Sequence, residues 1–319
     1  LAALSDTDDT DVVGTELVTN GTFDTDTGWT KGTGWTISGG VAVSSGAASS
    51  QLSQNVGMVS GTQYIVEYEV TALTSGVLEI YHGTSWYQID STVGTHALSV
   101  VGGSGVTLYF RPHGDSPFIG SIDNVQFQPA EQDRSVNANG LAVHGTITKS
   151  AVATGADLVA YSGFSASNYL EQPHQSYMDD VSGDWSITHW GKVIGTSTQS
   201  FWEISKTGTD VAGDGSVLAH AASGSLRLYI RGNSGSQDWE ITTGFSVSDG
   251  MWHLYTYTKV GNVLTVYQDG VVKSTKTLAS DGRTYNEATS VTRLGLRSDG
   301  SGSPLSSGSL ALFRISATA

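Results

Sequence analysis

The chain has 319 residues, 40 of them Gly, and contains no Cys and only 14% charged residues. Its 30 Asp and Glu side chains against 15 Lys and Arg give a formal net charge of −15, which argues against nucleic acids and anionic membranes as partners, because both require a basic surface. The absence of Cys excludes disulfides, thiolate zinc sites and a cysteine nucleophile.

The first segment, residues 1–14, has four Asp between Asp6 and Asp11. Such an acidic run is typical of a solvated tail, so we predict a flexible or truncated N-terminal segment. The stretch has no secretion signal, and the whole chain has no apolar run of the roughly 18 residues that span a membrane. We therefore expect no membrane insertion.

The next region, residues 15–130, contains short runs of alternating apolar and polar residues separated by Gly and Ser. In "QYIVEYEV", for example, Tyr64, Val66 and Tyr68 share one face, and Glu67 lies on the other. This period of two is typical of a half-buried strand, and the close spacing of the runs indicates an antiparallel β-sandwich.

The composition then changes twice. Residues 131–158 lose their aromatic side chains and are predicted to be a polar connector, with a short hairpin as an alternative around "LAVHGTITK". Residues 159–319 again carry aromatic, strand-like runs. The chain is therefore predicted to be all-β, with two β-sandwich (jelly-roll) domains joined by a polar connector.

Two stretches of the first domain, "EIYHGTSWYQID" and "YFRPHGDSPF", place aromatic and planar polar residues at predicted turns. Aromatic faces pack on the C–H faces of sugar rings, and planar polar side chains hydrogen-bond sugar hydroxyls. We therefore predict carbohydrate-binding residues, with packing or subunit contact as the alternative. They are Tyr81, Trp86, Tyr87, Gln88, Arg111 and His113.

The second domain carries "DGMWHLYTYTKVGNVLTVYQDGVVKSTKTL", in which two tight-turn signals separate strands predicted at 252–260, 263–268 and 271–278, and "GSLALFRIS" at its end. These motifs resemble the laminin-G-like, concanavalin-A-type jelly roll. That fold hosts lectins and glycosidases alike. The Glu-x-Asp-x-x-Glu string of its glucanases does not occur here, and Asp238 and Glu240 share a face without the third acid, so no catalytic residue is predicted.

The first domain carries "ELVTNGTFDTDTGWT" near its start and "GSIDNVQFQ" at its end. Both resemble segments of the calcium-stabilised β-jelly-roll carbohydrate-binding modules. By position, the resemblance implies a structural Ca²⁺ held by Asp24 and Asp123, with Asn20 and Thr22 as additional ligands. The alternative is that the two Asp side chains only cap turns. A loop with Asp210 and Asp214 is another possible calcium loop, although a plain loop tip is the favoured interpretation.

The segments "LVTNGTFDTDTGWT" and "VATGADLVAYSGFSASNYLEQP" resemble bacteriophage tail-fibre and other virion surface proteins. This resemblance implies a non-enzymatic tail-fibre or head-decoration protein, made in the host cytoplasm and located on the virion surface. Its expected partners are a host cell-surface glycan and other virion subunits, in a homo-oligomer that is a trimer if the protein is a fibre. Two alternatives remain: a carbohydrate-binding fragment of a secreted bacterial polysaccharide-degrading enzyme, and a purely structural virion subunit.

Overall fold

The computed structural model describes residues 3–4, 12–131, 140–154, 156, 158–174, 183–206, 216–231, 238–278, 290–297 and 303–316. Within these residues the secondary structure consists of strands without any helix. The chain forms two compact units, one from Gly14–Glu131 and one from Leu1–Val13 together with Gln132–Ala319. The all-β prediction is confirmed.

The first twelve strands, in chain order, are β1 (Ala3–Leu4), β2 (Val12–Gly14), β3 (Thr30–Lys31), β4 (Trp35–Ser38), β5 (Val41–Ser45), β6 (Leu52–Asn55), β7 (Gln63–Ser75), β8 (Leu78–Tyr81), β9 (Trp86–Ile89), β10 (Gly94–Val101), β11 (Thr107–Pro112) and β12 (Ile119–Glu131). The remaining strands are β13 (Leu141–Ala151), β14 (Val159–Ser162), β15 (Tyr169–Gln172), β16 (Trp185–Val193), β17 (Gln199–Lys206), β18 (Ser216–Ala222), β19 (Ser225–Arg231), β20 (Asp238–Ser246), β21 (His253–Val260), β22 (Val263–Gln268), β23 (Val271–Thr277), β24 (Ser290–Leu294) and β25 (Gly308–Ser316).

The Gly14–Glu131 unit is a sandwich of two antiparallel sheets. Sheet I has the order β10-β7-β12-β5-β4, and sheet II has the order β3-β6-β11-β8-β9. The chain alternates between the sheets from β9 to β10, from β10 to β11 and from β11 to β12, as in a jelly roll. The strands therefore contribute inward-facing side chains to one shared core.

That core confirms the alternation predicted for this region. In β7, Tyr64, Val66, Tyr68 and Val70 are at most 2% exposed. They pack with apolar side chains of sheet II, and each buried aromatic or aliphatic side chain stabilises the fold by about 1.5–3 kcal/mol. The partners from sheet II include Leu52, Leu78, Ile80, Leu108 and Phe110.

The second unit also contains two antiparallel sheets. Sheet III has the order β23-β22-β21-β16-β25, and β1 and β14 also pair with β25. Sheet IV has the order β13-β15-β24-β17-β18-β19-β20. The largest side chains of its core are fully buried: Tyr161, Phe201, Trp202, Tyr255, Tyr257 and Phe313.

Strands β21, β22 and β23 form the predicted meander with its two tight turns. Gly261, Asp269 and Gly270 have positive φ values of 53°, 54° and 77°, which a two-residue hairpin turn requires. The Asp269 side chain links this turn to the start of β21, because its Oδ1 accepts a hydrogen bond from the backbone N of Leu254 at 2.9 Å. The Asp-Gly signal is thus a structural feature of sheet III.

Two boundaries differ from prediction. Within the predicted connector over residues 131–158, where a short hairpin was expected around "LAVHGTITK", the structure has the long strand β13, whose Val143 and Ile147 are fully buried and which pairs with both β14 and β15. β13 contains no Phe, Tyr or Trp, and its first three residues are all buried, so neither its composition nor its pattern indicates a long strand. The N-terminal segment is also not wholly a flexible tail, because β1 pairs with β25 and β2 pairs with β13. Backbone pairing at a sheet edge needs no apolar pattern in the added strand.

Candidate functional site

The candidate site lies on the outer face of sheet II, where β9 is the edge strand. Strands β8 and β9 form a hairpin in which Tyr81 pairs with Trp86. On the other side of β8, Tyr109 of β11 pairs with Tyr81. Directly paired residues project to the same face, so the three rings form one row across three strands. The face is the outer one, because the alternate residues belong to the core.

The row of rings is hereafter called the aromatic cluster, and it consists of Tyr81, Trp86 and Tyr109. The Tyr81 and Trp86 centroids are 5.3 Å apart with planes at 43°, and the Tyr81 and Tyr109 centroids are 5.8 Å apart with planes at 75°. The Trp86 and Tyr109 centroids are 6.2 Å apart at 61°. All three side chains are half-buried. The rings therefore form a faceted surface that remains open to solvent, and not a flat platform.

A second row of polar residues lies beside the aromatic cluster. Glu79 pairs with Gln88 on β9 and with Arg111 on β11, so these side chains also face outwards. Gln88 is exposed at the sheet edge. Glu79 is buried, with its side chain 8% exposed, and the Arg111 side chain is 22% exposed. This second row of Glu79, Gln88 and Arg111, hereafter called the polar row, thus places an amide and an ion pair next to the rings.

Arg111 connects the two rows. Its Nε donates a hydrogen bond of 2.7 Å to Oε2 of Glu79, and its guanidinium carbon lies 3.7 Å from the centroid of the Trp86 ring. A guanidinium over an indole face is held by the ring quadrupole. Arg111 is therefore fixed by an acid on one side and an aromatic ring on the other.

His113 follows β11 and faces the same acid. Its Nδ1 accepts hydrogen bonds from the backbone N of Asp115 and of Ser116, each at 3.3 Å, so the proton of the neutral ring is on Nε2. That Nε2 lies 3.8 Å from Oε1 of Glu79, which is beyond hydrogen-bond length. A small shift or a bridging ligand atom would join the two groups.

Tyr87 does not belong to this surface. It pairs with Ile80, so its side chain projects to the opposite face of sheet II from Trp86, and it is 46% exposed at the sheet edge. Its ring stacks on His82 with centroids 4.9 Å apart. Burial lowers the pKa of His82, although its Nδ1 hydrogen bond to the carbonyl of Val101 at 2.8 Å opposes this shift. The six predicted residues thus divide into two groups.

The hairpin loop between β8 and β9 is fixed by a close approach of two glycines. The backbone N of Gly103 donates to the carbonyl of His82 at 2.9 Å. A Cβ on Gly103 would lie 2.2 Å from the carbonyl of Gly83, so no side chain fits there. The loop that begins after Tyr81 and ends before Trp86 is therefore held in one position against its neighbour.

The predicted calcium ligand Asn20 is used inside its own loop. Its Nδ2 donates to the carbonyls of Thr25 and Thr27 at 2.7 Å each, and its backbone carbonyl accepts from Nε1 of Trp29 at 3.1 Å. Its φ of 55° is a left-handed conformation that Asn tolerates. The hydrogen bonds of Asn20 thus account for the shape of this loop.

The other predicted ligands also have local partners. Thr22 Oγ1 donates to Oδ2 of Asp24 at 2.8 Å, and Oδ1 of Asp123 accepts from the backbone N of Asn124 at 2.7 Å. In the part of the chain that the structure describes, no three His, Asp or Glu side chains are grouped to hold a metal ion. Backbone carbonyls also bind calcium, so the calcium site stays a prediction. The loop with Asp210 and Asp214 lies outside the described residues.

Two members of the site, Glu79 and Tyr109, were not among the predicted residues. Both lie within the stretches that pointed to the site, and their spacing from predicted residues identifies them. In "LEIY" Glu79 is two residues before Tyr81, and in "TLYFRP" Tyr109 is two residues before Arg111. A period of two places each on the same face as its predicted neighbour.

In the second unit, the Trp-His motif has a structural role. His253 Nδ1 lies 2.7 Å from Oδ2 of Asp269, and its Nε2 lies 3.1 Å from Oδ2 of Asp249. Burial opposes protonation of His253, but the bonds to both carboxylates outweigh it and raise its pKa. His189 is buried in the core beside Tyr257, and burial lowers its pKa to about 3. Both rings thus have hydrogen-bond partners within the protein.

Sheet IV carries a buried ion pair on its outer face. Arg293 of β24 pairs with Glu171 of β15 and with Glu203 of β17, and its Nε donates to Oε2 of Glu171 at 2.5 Å. The Tyr169 ring is stacked on His144 at 4.1 Å and lies 4.9 Å from the Arg293 guanidinium. The Tyr169 ring thus contacts both His144 and Arg293. Asp238 and Glu240 lie on the separate strand β20.

Residues 164–319 match the family Laminin_G_3, which is described as the Concanavalin A-like lectin/glucanases superfamily. This match covers the region in which the sequence motifs predicted that fold, and the concanavalin-A-like fold of the second unit is confirmed. No curated protein matches the chain. The residues that the structure describes include no helix with the length and apolar character needed to span a membrane.

Solved structures with some similarity include the binding domain of botulinum neurotoxin serotype D, with 10% identity over 59% of this chain and 45% of that chain and a TM-score of 0.46. A heptameric SAP-like pentraxin from Limulus polyphemus has 17% identity over 43% of this chain and 64% of that chain, with a TM-score of 0.33. A mutant NanB sialidase from Streptococcus pneumoniae has 16% identity over 44% of this chain and 23% of that chain, with a TM-score of 0.37. The chain covers less than two thirds of each, and TM-scores below 0.5 say nothing of what it binds.

Proposed function

We propose that this chain is a carbohydrate-binding protein whose first unit binds glycans on the outer face of sheet II. The observation that carries the proposal is the aromatic cluster, which presents three half-buried rings to solvent beside Arg111, Glu79 and Gln88. Rings in this arrangement pack on sugar C–H groups, and the polar row supplies donors and acceptors for hydroxyls. A cluster made only for packing would belong to the core.

The angles between the rings indicate what shape of glycan would fit. Planes at 43°, 61° and 75° to one another cannot lie flat on an extended crystalline surface. They fit the convex side of a single glycan chain or a branched end, because such a ligand presents faces in several directions. A dissolved or cell-surface glycan is therefore the proposed ligand.

The proposed activity is binding without catalysis. Glycoside hydrolysis requires two carboxyl groups at about 5–5.5 Å or 6.5–9.5 Å around an accessible bond. In the candidate site Glu79 is the acid beside the rings, and it is already paired with Arg111. The concanavalin-A-like second unit is a fold of lectins as well as glucanases, so it is compatible with this proposal.

We further propose a virion-surface location, as a tail-fibre or head-decoration protein that attaches to host-surface glycans. Its support is the resemblance of the segments around residues 17–30 and 152–173 to such proteins. A trimer that contacts other virion subunits is the expected assembly. A carbohydrate-binding fragment of a secreted enzyme would have the same site, and the two differ in whether the protein copurifies with virus particles.

A structural calcium ion in the first unit is a separate proposal. Its support is the position of Asp24 and Asp123, since the loop before β3 reaches β12 through the hydrogen bond from the backbone N of Val125 to the carbonyl of Gly21 at 3.0 Å. If calcium binds there, chelation with EGTA lowers the melting temperature, and added CaCl₂ restores it. An Asp123→Asn variant that responds to EGTA as the wild type does would contradict this location.

A glycan array tests the main proposal. The wild-type chain should bind a defined set of glycans. The Tyr81→Ala/Trp86→Ala double variant should lose that binding while remaining folded, as a cooperative unfolding transition would show. Absence of any bound glycan would favour a structural role for the whole chain. Release of reducing sugar from a bound polysaccharide would refute the non-catalytic part.

A further inference from the structure

Within the glycan-binding function proposed above, on which this inference rests, we infer that the site selects neutral sugars over acidic ones and that Glu79 sets this selectivity. An arginine beside aromatic rings would ordinarily suggest a ligand with a carboxylate or sulfate group, because guanidinium binds such groups with paired hydrogen bonds. The surroundings of Arg111 remove that option.

The charge of Arg111 is already neutralised inside the protein. Its Nε donates to Glu79 at 2.7 Å, and both side chains are mostly shielded from water. One face of the guanidinium plane is covered by Trp86 at 3.7 Å. Because the Glu79 carboxylate lies 2.7 Å from Arg111 Nε, an acidic sugar that reached the guanidinium would also come close to this negative charge. The attraction and the repulsion then cancel to first order.

His113 adds a hydrogen-bond donor beside the ion pair. Its Nδ1 accepts two backbone hydrogen bonds, and Nε2 faces Glu79 from 3.8 Å. The polar row itself, Glu79, Arg111 and Gln88, consists of one acid, one base and one amide, whose formal charges sum to zero.

The wider field of the unit also repels anions. Gly14–Glu131 contains ten Asp and Glu residues against one Lys and one Arg, a formal charge of −8 with His neutral. The single lysine, Lys31, is paired with Asp26. A surface with this balance lowers the local concentration of anionic ligands, most strongly at low salt.

A neutral sugar meets a complementary set of groups instead. Its hydroxyls can donate to Glu79 Oε1 and to the Gln88 carbonyl, and they can accept from the Gln88 amide, from His113 Nε2–H and from the remaining guanidinium N–H groups of Arg111. Its C–H faces can pack on the aromatic cluster. Every part of this recognition works without a charge on the ligand.

Glu79→Gln tests the inference. Glutamine keeps an acceptor for Arg111 Nε and a similar shape, and it leaves the Arg111 charge uncompensated. The probes are pairs of a neutral and a carboxylate-bearing glycan with a shared backbone: hydroxyethylcellulose with carboxymethylcellulose, and lactose with sialyllactose, along with the neutral and carboxylated forms of any glycan found on the array. We expect the wild type to bind the neutral member at least about tenfold more tightly, and Glu79→Gln to reduce that ratio about three- to tenfold, more at low salt.

Glu69→Gln is the matched control. Glu69 belongs to the same unit but lies on sheet I, where it accepts from Asn124 Nδ2 at 2.7 Å, so the variant has the same net charge without touching the site. It should leave the ratio within about twofold of the wild type. A wild type that prefers the acidic member, or a folded Glu79→Gln with an unchanged ratio, would overturn the inference alone. A protein that binds no member of any pair would instead refute the proposed function.

Discussion

Trp86→Ala should weaken glycan binding about tenfold, whereas Tyr87→Ala on the same edge strand should change it less than about twofold. A tryptophan side chain has about 150–250 Å² of surface, and one sugar ring covers about a third of it, or roughly 60 Å². At about 25 cal/mol per Å², this contact contributes about 1.5 kcal/mol, which is about a factor of ten in Kd. Tyr87 is the more exposed of the two but faces the other side of the sheet.

Isothermal titration calorimetry with a glycan from the array measures both variants. Trp86→Ala also loses its contacts with Tyr81, Tyr109 and Arg111, so its free energy of unfolding should fall by about 1–2 kcal/mol, and urea titration verifies that it remains folded. If Tyr87→Ala abolished binding while Trp86→Ala bound normally, the ligand would lie against the opposite face or the sheet edge, and the aromatic cluster would not be the binding site.

Two further predictions concern stability. Burial lowers the pKa of His253, but its hydrogen bonds to Asp249 and Asp269 outweigh burial and raise it. Hydrogen bonds likewise lower the pKa values of the two carboxyl groups. These three side chains therefore make their full contribution to the free energy of unfolding between about pH 4 and 6.5. That contribution is on the order of 1 kcal/mol, because the carboxylates are partly exposed. It is lost as pH rises through the raised pKa of His253 or falls through the lowered pKa values of the two Asp side chains. His253→Gln should abolish the loss of stability between pH 5.5 and pH 8.5 in urea titrations, and an identical pH difference in the variant would disprove the assignment. Gly103→Ala should destabilise the chain by about 1–3 kcal/mol, because its Cβ would overlap the facing hairpin loop at 2.2 Å, whereas Gly105→Ala, with its Cβ 3.5 Å from that loop, should cost little; equal melting temperatures for the two variants would contradict this.

Local patterns were sufficient for the secondary structure in most places. The turn signals at Gly261 and at Asp269-Gly270 predicted three consecutive strands, and the structure has them. The pattern failed at β13, because a strand without Phe, Tyr or Trp resembles a connector in composition. The composition of a segment indicates how much apolar surface it can bury. Whether the segment forms a strand also depends on which sheet edges it can pair with.

The candidate site shows the same division between local and distant information. Its hairpin residues Tyr81 and Trp86 were predictable, because they are close in sequence and flank one turn. The partner of Glu79 is Arg111, 32 residues away, and the same strand pairing places Tyr109 beside Tyr81. Nothing in the alternation of either segment specifies that pairing.

The amino-acid pattern alone identifies an all-β chain, the position of its apolar faces and the residue types that could contact a sugar. Which of those residues share one surface follows from the fold, which separates Tyr87 from Trp86 and adds Glu79 and Tyr109. A period of two assigns each side chain to a face of its own strand, whereas the order of strands in a sheet follows from long-range packing of the whole core. Glu79, which sets the charge of the proposed site, was therefore recognisable only after β8 and β11 had been placed side by side.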